Sequence, residues 1–516
     1  MARGHPRQLP LGLLGRALAS GPGAGRDRPV CSVGRLLRPA PERDAASGGA
    51  LRAAAQLARI PGRPPGRRHP GDRMSLLAIS APASLARLRR VADLNLLRSS
   101  AVVFTGTAVA RLLAFLFYIA AARLLAPADY GLVAYTLAVV AVASMLVSTA
   151  PLGMSRFVAR HAEDRTRQGA FVTNWAGFVA MALVCSTVVF LMLAPLARIS
   201  GWLLLAVVVN LANIAVFETY TQLQRGLCRF VPMVGYYILT NLLQLVALGA
   251  AGLMGWRTPA VVVVIYGLSA IAAFAVVQVS MPTSLAFDAS KLAWSRVRQI
   301  VRYMRPLLIQ SVFYAVWWSA DLILVQRFLH PAATGNYAAA KTLAQLLMLA
   351  PYAIGMSVTP YIARLPDSAL RRYFSRLLAF SALAVLPLSG AVLLFARPLT
   401  LLAYGAKYPH AVDALTPLVV GVALHGLYVV TAASWGALGR PKISAFATGL
   451  GMVATVSTAL LLIPHQGLVG GGIAFAAGAG LQVVAVGAYT IWGIYSGSGP
   501  RLGHLPDAAL PAFESD

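Results

Sequence analysis

Arg123-Leu-Leu-Ala-Pro127-Ala-Asp-Tyr-Gly131-Leu-Val-Ala134 returns further along the chain as Arg327-Phe-Leu-His-Pro331-Ala-Ala-Thr-Gly335-Asn-Tyr-Ala338, an offset of 204 residues. The same offset carries Phe157-Val-Ala-Arg160 onto Tyr361-Ile-Ala-Arg364, and Gly153-Met-Ser155 has a near-register echo in Gly355-Met-Ser357. Arg, Pro and Gly at fixed spacing mark a chain built twice. Around the two copies lie apolar runs of about 20 residues, the helix length that crosses a hydrocarbon core of ~30 Å. They fall at 99–121, 131–151, 169–192, 201–222, 232–254 and 259–280, and again at 306–327, 338–362, 374–395, 411–433, 443–463 and 467–493. In lipid the backbone must bond to itself, and these lengths fit helices rather than the ~10-residue alternating strands of a barrel. The expectation is an all-α membrane protein of 12 transmembrane helices in two parallel six-helix repeats with a central cleft. Within each repeat, proline ends the first span and glycine permits the turn into the next.

Composition points to the same solvent. The chain is 58% hydrophobic and 12% charged, with a mean hydropathy of +0.70, too apolar to keep a soluble surface wet. A net charge of +28 and a pI near 11 raise nucleic acid as a partner. The position of the charges excludes it, because from 99 to 495 they sit almost wholly in short gaps between spans and assemble no basic groove. Their distribution orients the bundle instead: the even-numbered loops hold seventeen Lys and Arg, from Arg156 and Arg160 to Arg440 and Lys442. The odd-numbered loops hold only Arg123, Arg198, Arg257, Arg327, Arg397 and Lys407. Cytoplasmic loops retain positive charge, so both termini are expected in the cytoplasm.

The domain organisation follows. Residues 1–98 read as a disordered Arg/Pro/Gly-rich cytoplasmic tail. Its first 73 residues hold 14 Arg and no Lys, and Met74 offers an alternative start. The N-terminal half spans 99–280, a basic amphipathic linker expected along the anionic inner leaflet spans 281–305, the C-terminal half spans 306–493, and 494–516 form a second cytoplasmic tail. Cys31, Cys185 and Cys228 have no metal-ligand spacing, and no nucleotide-binding or zinc-hydrolase motif occurs, so neither a cofactor nor a metal is expected and an enzyme is not. A membrane glycosyltransferase or O-antigen ligase is the enzyme-class competitor, discounted because no outer loop is long enough to hold an acceptor site.

Several segments in fixed order resemble a known family. Ala122-Arg-Leu-Leu-Ala-Pro-Ala-Asp-Tyr-Gly-Leu follows span 1, Gln224-Arg-Gly-Leu-Cys-Arg-Phe follows span 4, and Ser319-Ala-Asp-Leu-Ile-Leu-Val-Gln-Arg-Phe-Leu lies in span 7. Asn336-Tyr-Ala-Ala-Ala-Lys-Thr-Leu opens span 8, Ala403-Tyr-Gly-Ala-Lys-Tyr follows span 9, and Leu462-Ile-Pro-His-Gln-Gly-Leu-Val-Gly-Gly-Gly joins spans 11 and 12. From about 93 to 495 the chain resembles the Wzx-like polysaccharide-unit flippases (O-antigen and exopolysaccharide) of the multidrug/oligosaccharidyl-lipid/polysaccharide exporter superfamily. The resemblance implies a multi-pass transporter of the bacterial inner membrane that carries an undecaprenyl-diphosphate-linked oligosaccharide to the outer leaflet by proton- or ion-coupled alternating access. Membrane lipids, a polysaccharide polymerase and glycosyltransferases are the implied partners. The alternative within the superfamily is a multidrug or cation antiporter, which relies on cavity acids. Lipid II flippases of the superfamily usually have 14 spans, which sets this chain apart from a peptidoglycan role.

Ionisable groups at mid-bilayer are costly and usually face a cavity. Arg111 sits half-way along span 1 on one helical face with Ser100, Thr107 and Tyr118, and its guanidinium suits a diphosphate. It also matches an arginine that the resembled family often carries in its first span. Asp321 in span 7 shares a face with Gln310, Tyr314 and Trp318, and two readings compete: a coupling-ion site, or an ion pair with Arg111 latching one state shut. Lys341 opens span 8, where its stem is expected to snorkel to water, with diphosphate capture as the competing role. Glu218 is read as offsetting Arg225 near the end of span 4, and His425 as a packing residue in span 10 able to titrate near neutrality. Asn210, Asn213, Asn241 and Gln244 suit either sugar hydroxyls or interhelical hydrogen bonds. Trp202, Trp256, Trp435 and Trp492 are expected as interface anchors, and Trp317 and Trp318 as mid-span aromatics able to stack on sugar rings.

Overall fold

The computed structural model describes residues 83–161, 164–283, 289–362, 367–438 and 440–492. The first 82 residues, with the alternative start at Met74, and the tail 494–516 lie outside the described residues. All regular elements among the described residues are helical: α1 Ala83–Leu124, α2 Pro127–Ala143, α3 Met145–Thr149, α4 Met154–Arg160, α5 Arg165–Leu193, α6 Trp202–Gly226, α7 Phe230–Leu253 and α8 Pro259–Ser280. They continue as α9 Trp294–Phe328, α10 Pro331–Gln345, α11 Leu349–Ile362, α12 Asp367–Leu394, α13 Ala396–Tyr404, α14 Ala411–Ala437 and α15 Pro441–Thr490. Residues 83–98, read from sequence as the end of a tail, are instead the first turns of α1, because from Ala83 to Arg98 the chain holds neither Gly nor Pro and is rich in Leu, Ala and Arg.

Nine described helices are long and apolar enough to cross a bilayer, or ten if the pair Pro127–Ala143 and Met145–Arg160, bent by 57°, is one span. The 50-residue α15 breaks at Gly467 (φ 58°, ψ −130°), at the junction expected between the last two spans. Only glycine adopts that backbone without strain. Met192, Leu253, Val279, Leu383 and Leu394 are exposed at 72% or more, a belt that suits lipid and not water. Trp202, Trp256 and Trp492 are exposed near helix ends as expected, whereas Trp435 is buried and donates from its indole to Thr490 Oγ1 at 2.9 Å. That tryptophan packs against Phe374 and Tyr489 and is no surface anchor.

The helices pack as an N-terminal set, α1 to α8, and a C-terminal set, α9 to α15, with matched internal pairings. α1 lies on α7 and α6 on α8, as α9 lies on α15 and α14 on α15. The principal bridge between the sets is α2 against α9 and α10. The basic linker is not a free surface segment from Trp294 onward but the opening turns of α9. Its Val297, Ile300 and Met304 are buried in a cluster with Met154, Phe157 and Trp175, while Arg298, Arg302 and Arg305 stay exposed.

The duplicated motif acquires a different meaning in three dimensions. Pro127 and Pro331 are the first residues of α2 and α10, where a missing N–H costs nothing. Gly131 and Gly335 lie one turn inside those helices and make no turn. A β-carbon on Gly131 would stand 2.1 Å from the Pro331 carbonyl oxygen, and one on Gly335 would stand 2.0 Å from that of Pro127. Each copy of the motif thus packs on the other reciprocally, as a two-fold relation between repeats requires.

Candidate substrate cavity

Between the two sets lies a cavity of about 750 Å³. The N-terminal wall presents Asn213, Phe217 and Glu218 from α6, Thr240, Asn241 and Gln244 from α7, and Tyr266 from α8; the C-terminal wall presents Gln310, Tyr314 and Trp318 from α9 and Lys341, Thr342 and Gln345 from α10. Tyr118 and Tyr130 border it toward the end where α1 meets α2, and Ser148 and Leu152 toward the end that carries the basic loops. The walls are aromatic and amide-rich, with Glu218 and Lys341 as their charged members.

Lys341 is buried and does not snorkel. Its ammonium lies 2.7 Å from Asp321 Oδ1 and also donates to the Trp318 carbonyl, while the Tyr337 hydroxyl donates to Asp321 Oδ2 at 2.7 Å. The reason is the true start of α10: it begins at Pro331, so Lys341 is ten residues into the helix, roughly 15 Å at 1.5 Å per residue. Asp321 therefore pairs with Lys341 from its own helix set and not with Arg111. Arg111 is exposed near the middle of the apolar part of α1, Ala101–Leu124, with its guanidinium 4.4 Å above the Tyr352 ring of α11, outside the cavity wall. Tyr352 in turn approaches the Tyr314 hydroxyl at 3.5 Å.

The expected face of α9 is real up to Trp318. Gln310, Tyr314 and Trp318 all line the cavity, the last two with stacked rings 6.0 Å apart, and Asp321 sits behind them. His425 is buried, with Nδ1 3.0 Å from Gln482 Oε1 and its ring 4.3 Å from Trp317, which is the packing role. Asn210 and Asn213 are structural: Asn210 Nδ2 donates to the Val263 carbonyl at 3.0 Å, and Asn213 Oδ1 accepts from the Ala270 N–H at 2.9 Å. Gln244 donates to Ser269 Oγ at 2.9 Å, yet it and Asn241 also face the cavity. Glu218 makes no ion pair with Arg225 among the described residues and stands in the cavity wall two turns inside the helix end. Sequence reasoning missed Thr240, Thr342 and Gln345; the only signal was that Thr240 stands four residues from Gln244 and Gln345 four from Lys341, on the same helical faces, with Thr342 three residues before Gln345.

The end of the cavity opposite the basic loops is sealed by hydrogen bonds between the sets. Arg123 Nε donates to the Ala403 carbonyl at 2.7 Å, and Lys407 Nζ donates to the Arg123 carbonyl at 2.7 Å. Tyr408 donates to the Ala122 carbonyl at 2.8 Å while its ring meets Tyr130 edge to face.

An all-helical membrane bundle whose two packed sets enclose a cavity sealed at one end defines a transporter, and the solved structures agree on the fold. An inward-facing multidrug resistance MATE transporter of the MOP superfamily superposes with a TM-score of 0.62 at 16% identity, over 74% of this chain and 93% of that one. An inward-closed lipid II flippase MurJ gives 0.57 at 14% identity, over 74% and 86%. In sequence the chain is similar to the probable low-salt glycan biosynthesis flippase Agl15 of Haloferax volcanii, 21% identical over 340 residues, 63% of this chain and 70% of the relative. Residues 120–413, more than half of the chain, match the polysaccharide biosynthesis protein family, and the chain belongs to it.

Proposed function

We propose that this transporter moves an undecaprenyl-diphosphate-linked oligosaccharide between the leaflets of a bacterial inner membrane, from the leaflet at its basic-loop end to the opposite one, by alternating access. The proposal includes 12 spans, six on each side of the 281–305 linker, with both termini cytoplasmic, and supply and use of the substrate by glycosyltransferases and a polymerase. The cavity carries the reading. Its volume of about 750 Å³ lies within the range of small-molecule sites, and its amide and aromatic walls suit sugar hydroxyls and ring faces. The polyprenyl chain stays in lipid. Family membership and the named activity of the archaeal relative support the glycan. Arg111, exposed on the apolar part of α1 outside the cavity wall, is the group we assign to the diphosphate, since its planar guanidinium binds such an anion bidentately.

One observation favours the antiporter reading: the charge free in the cavity wall is the carboxylate of Glu218, because Lys341 is committed to Asp321. The two readings separate in a strain lacking the protein. Inner-leaflet accumulation of undecaprenyl-diphosphate oligosaccharide, with unchanged sensitivity to cationic drugs, is the expected result. Drug sensitivity with normal glycan export supports the antiporter. Within the first reading, Arg111→Glu is expected to abolish transport at normal membrane abundance, checked by leaflet-specific labelling of the glycolipid.

A further inference from the structure

The carboxylates inside the bundle are in opposite situations. Asp321 accepts from Lys341 through both oxygens and from Tyr337 through one, so its negative charge is fully matched. Both partners come from the C-terminal set, and a rocking of one set against the other leaves the network whole. Glu218, on the N-terminal wall, has no ion pair and no side-chain hydrogen bond among the described residues. Across the same wall Thr240 is 4% exposed and its Oγ1 has no partner, an unused hydroxyl at the cavity surface. Beside it Asn241, held through Nδ2 by the Tyr237 carbonyl at 2.7 Å, has its side-chain oxygen free of that bond.

We propose that Glu218 is the proton-exchange site of the transporter, and that its charge decides which end of the cavity opens when no substrate is bound. This deepens the proposed function, resting on its alternating access and not on its substrate. The step is a plain acid dissociation: the carboxylate takes a proton from cavity water at one end and returns it to water at the other, with Thr240 as the nearby neutral hydrogen-bonding group. With the opposite end sealed, cavity water solvates the carboxylate. Rocking the sets to close the basic end strips that water away, and an unpaired ion inside a bilayer protein is costly. Only the neutral acid makes that change cheaply, so protonation favours the state in which the Lys407 and Tyr408 seal is broken.

The charged and titratable groups around Glu218 are few. Arg225 lies two turns on along α6, with Tyr236 and Tyr237 on α7 and Tyr266 on α8. From the other packed elements, α4 contributes Arg156 and Arg160 and α5 contributes Arg165 and Arg167, at the basic end, while α2 contributes Tyr130 and Tyr135 and, with Asp129, the sealed end. His410 at the seal is itself a titratable side chain and pairs with Asp413 at 3.2 Å, so the test is made in a His410→Gln chain, a change at an exposed side chain.

The full-length protein in lipid nanodiscs is followed by hydrogen–deuterium exchange of the segment 404–410 at pH 8 and pH 5.5, corrected for intrinsic exchange. With Glu218 present, protection of the seal is expected to fall about tenfold at the lower pH. In Glu218→Gln it is expected to be low at both values, and in Glu218→Asp the response is expected to persist with a moved midpoint. A pH response that survives in Glu218→Gln, one that follows sodium at fixed pH, or a Glu218→Asp midpoint identical to that of Glu218 overturns the proposal. Failure of glycolipid flipping by the unmodified protein in vesicles overturns the substrate reading alone and leaves this result standing.

Discussion

The buried pair of Asp321 and Lys341 is held by four protein contacts, so each ion depends on the other and removing one partner differs sharply from removing both. Removing one partner of a buried pair costs about 3–5 kcal/mol because the other is left charged and alone, whereas replacing both by neutral groups is often harmless. Lys341→Met is therefore expected to lower the yield of monodisperse protein in detergent severalfold, and Asp321→Asn with Lys341→Met to restore most of it, as read by size-exclusion chromatography of the solubilised membrane fraction. Transport by the restored double variant assigns the pair to folding; a well-folded but inactive one assigns it to the pathway. The pairing was not legible in the sequence. An apolar run marks where a helix is hydrophobic and not where it starts, and the small and polar residues from Pro331 to Tyr337 hid two turns of α10, so Lys341 seemed to stand at the surface. The same error placed Glu218 at the end of a span, although α6 runs on to Gly226.

At the level of elements, the duplicated Pro-x-x-x-Gly motif was visible as a repeat and misread as a turn, because spacing along the chain cannot tell a glycine that bends from a glycine that lets another backbone approach. The two roles predict different costs for an added β-carbon. Gly131→Ala is expected to prevent the close approach of α2 and α10, since its β-carbon would lie 2.1 Å from a backbone oxygen that cannot swing aside. Gly335→Ala is expected to do the same, and the double variant to lose about as much stability as either single one, because both relieve one shared contact. Thermal unfolding of the purified variants measures this directly, and strictly additive losses would separate the two glycines. Gly467 is the opposite case: nothing lies within 4 Å of a β-carbon there, yet its φ is 58° with ψ at −130°. Gly467→Ala is expected to cost about 1–3 kcal/mol from backbone conformation alone, seen as a lowered midpoint of the same melt. Span length and apolarity made the all-helical fold legible in advance. The bend at Ser144 and the passage of the linker into α9 were not, since both are settled by packing between elements.

For the whole molecule, the seal and the cavity make one mechanical claim: the sets separate where hydrogen bonds between them are few. The Lys407 ammonium and the Tyr408 hydroxyl both reach across to carbonyls at the end of α1, and neither carbonyl is needed inside the helix because both lie in its last turn. Each such bond contributes about 1 kcal/mol, so Lys407→Ala with Tyr408→Phe is expected to favour the open seal by about 2 kcal/mol, close to thirtyfold in the equilibrium. Thr342 lines the cavity just beneath, where its hydroxyl lies 3.4 Å from that of Tyr130, and a cysteine there reports access from the sealed side. In Thr342→Cys, labelling by a membrane-impermeant maleimide added at that side is expected to be slow, and to accelerate at least tenfold when the two seal residues are changed, above the background of the native cysteines. Equal labelling with and without the seal residues would mean that they hold the ends of helices and not the two sets, and the barrier would then reside in the glycine contact of α2 and α10.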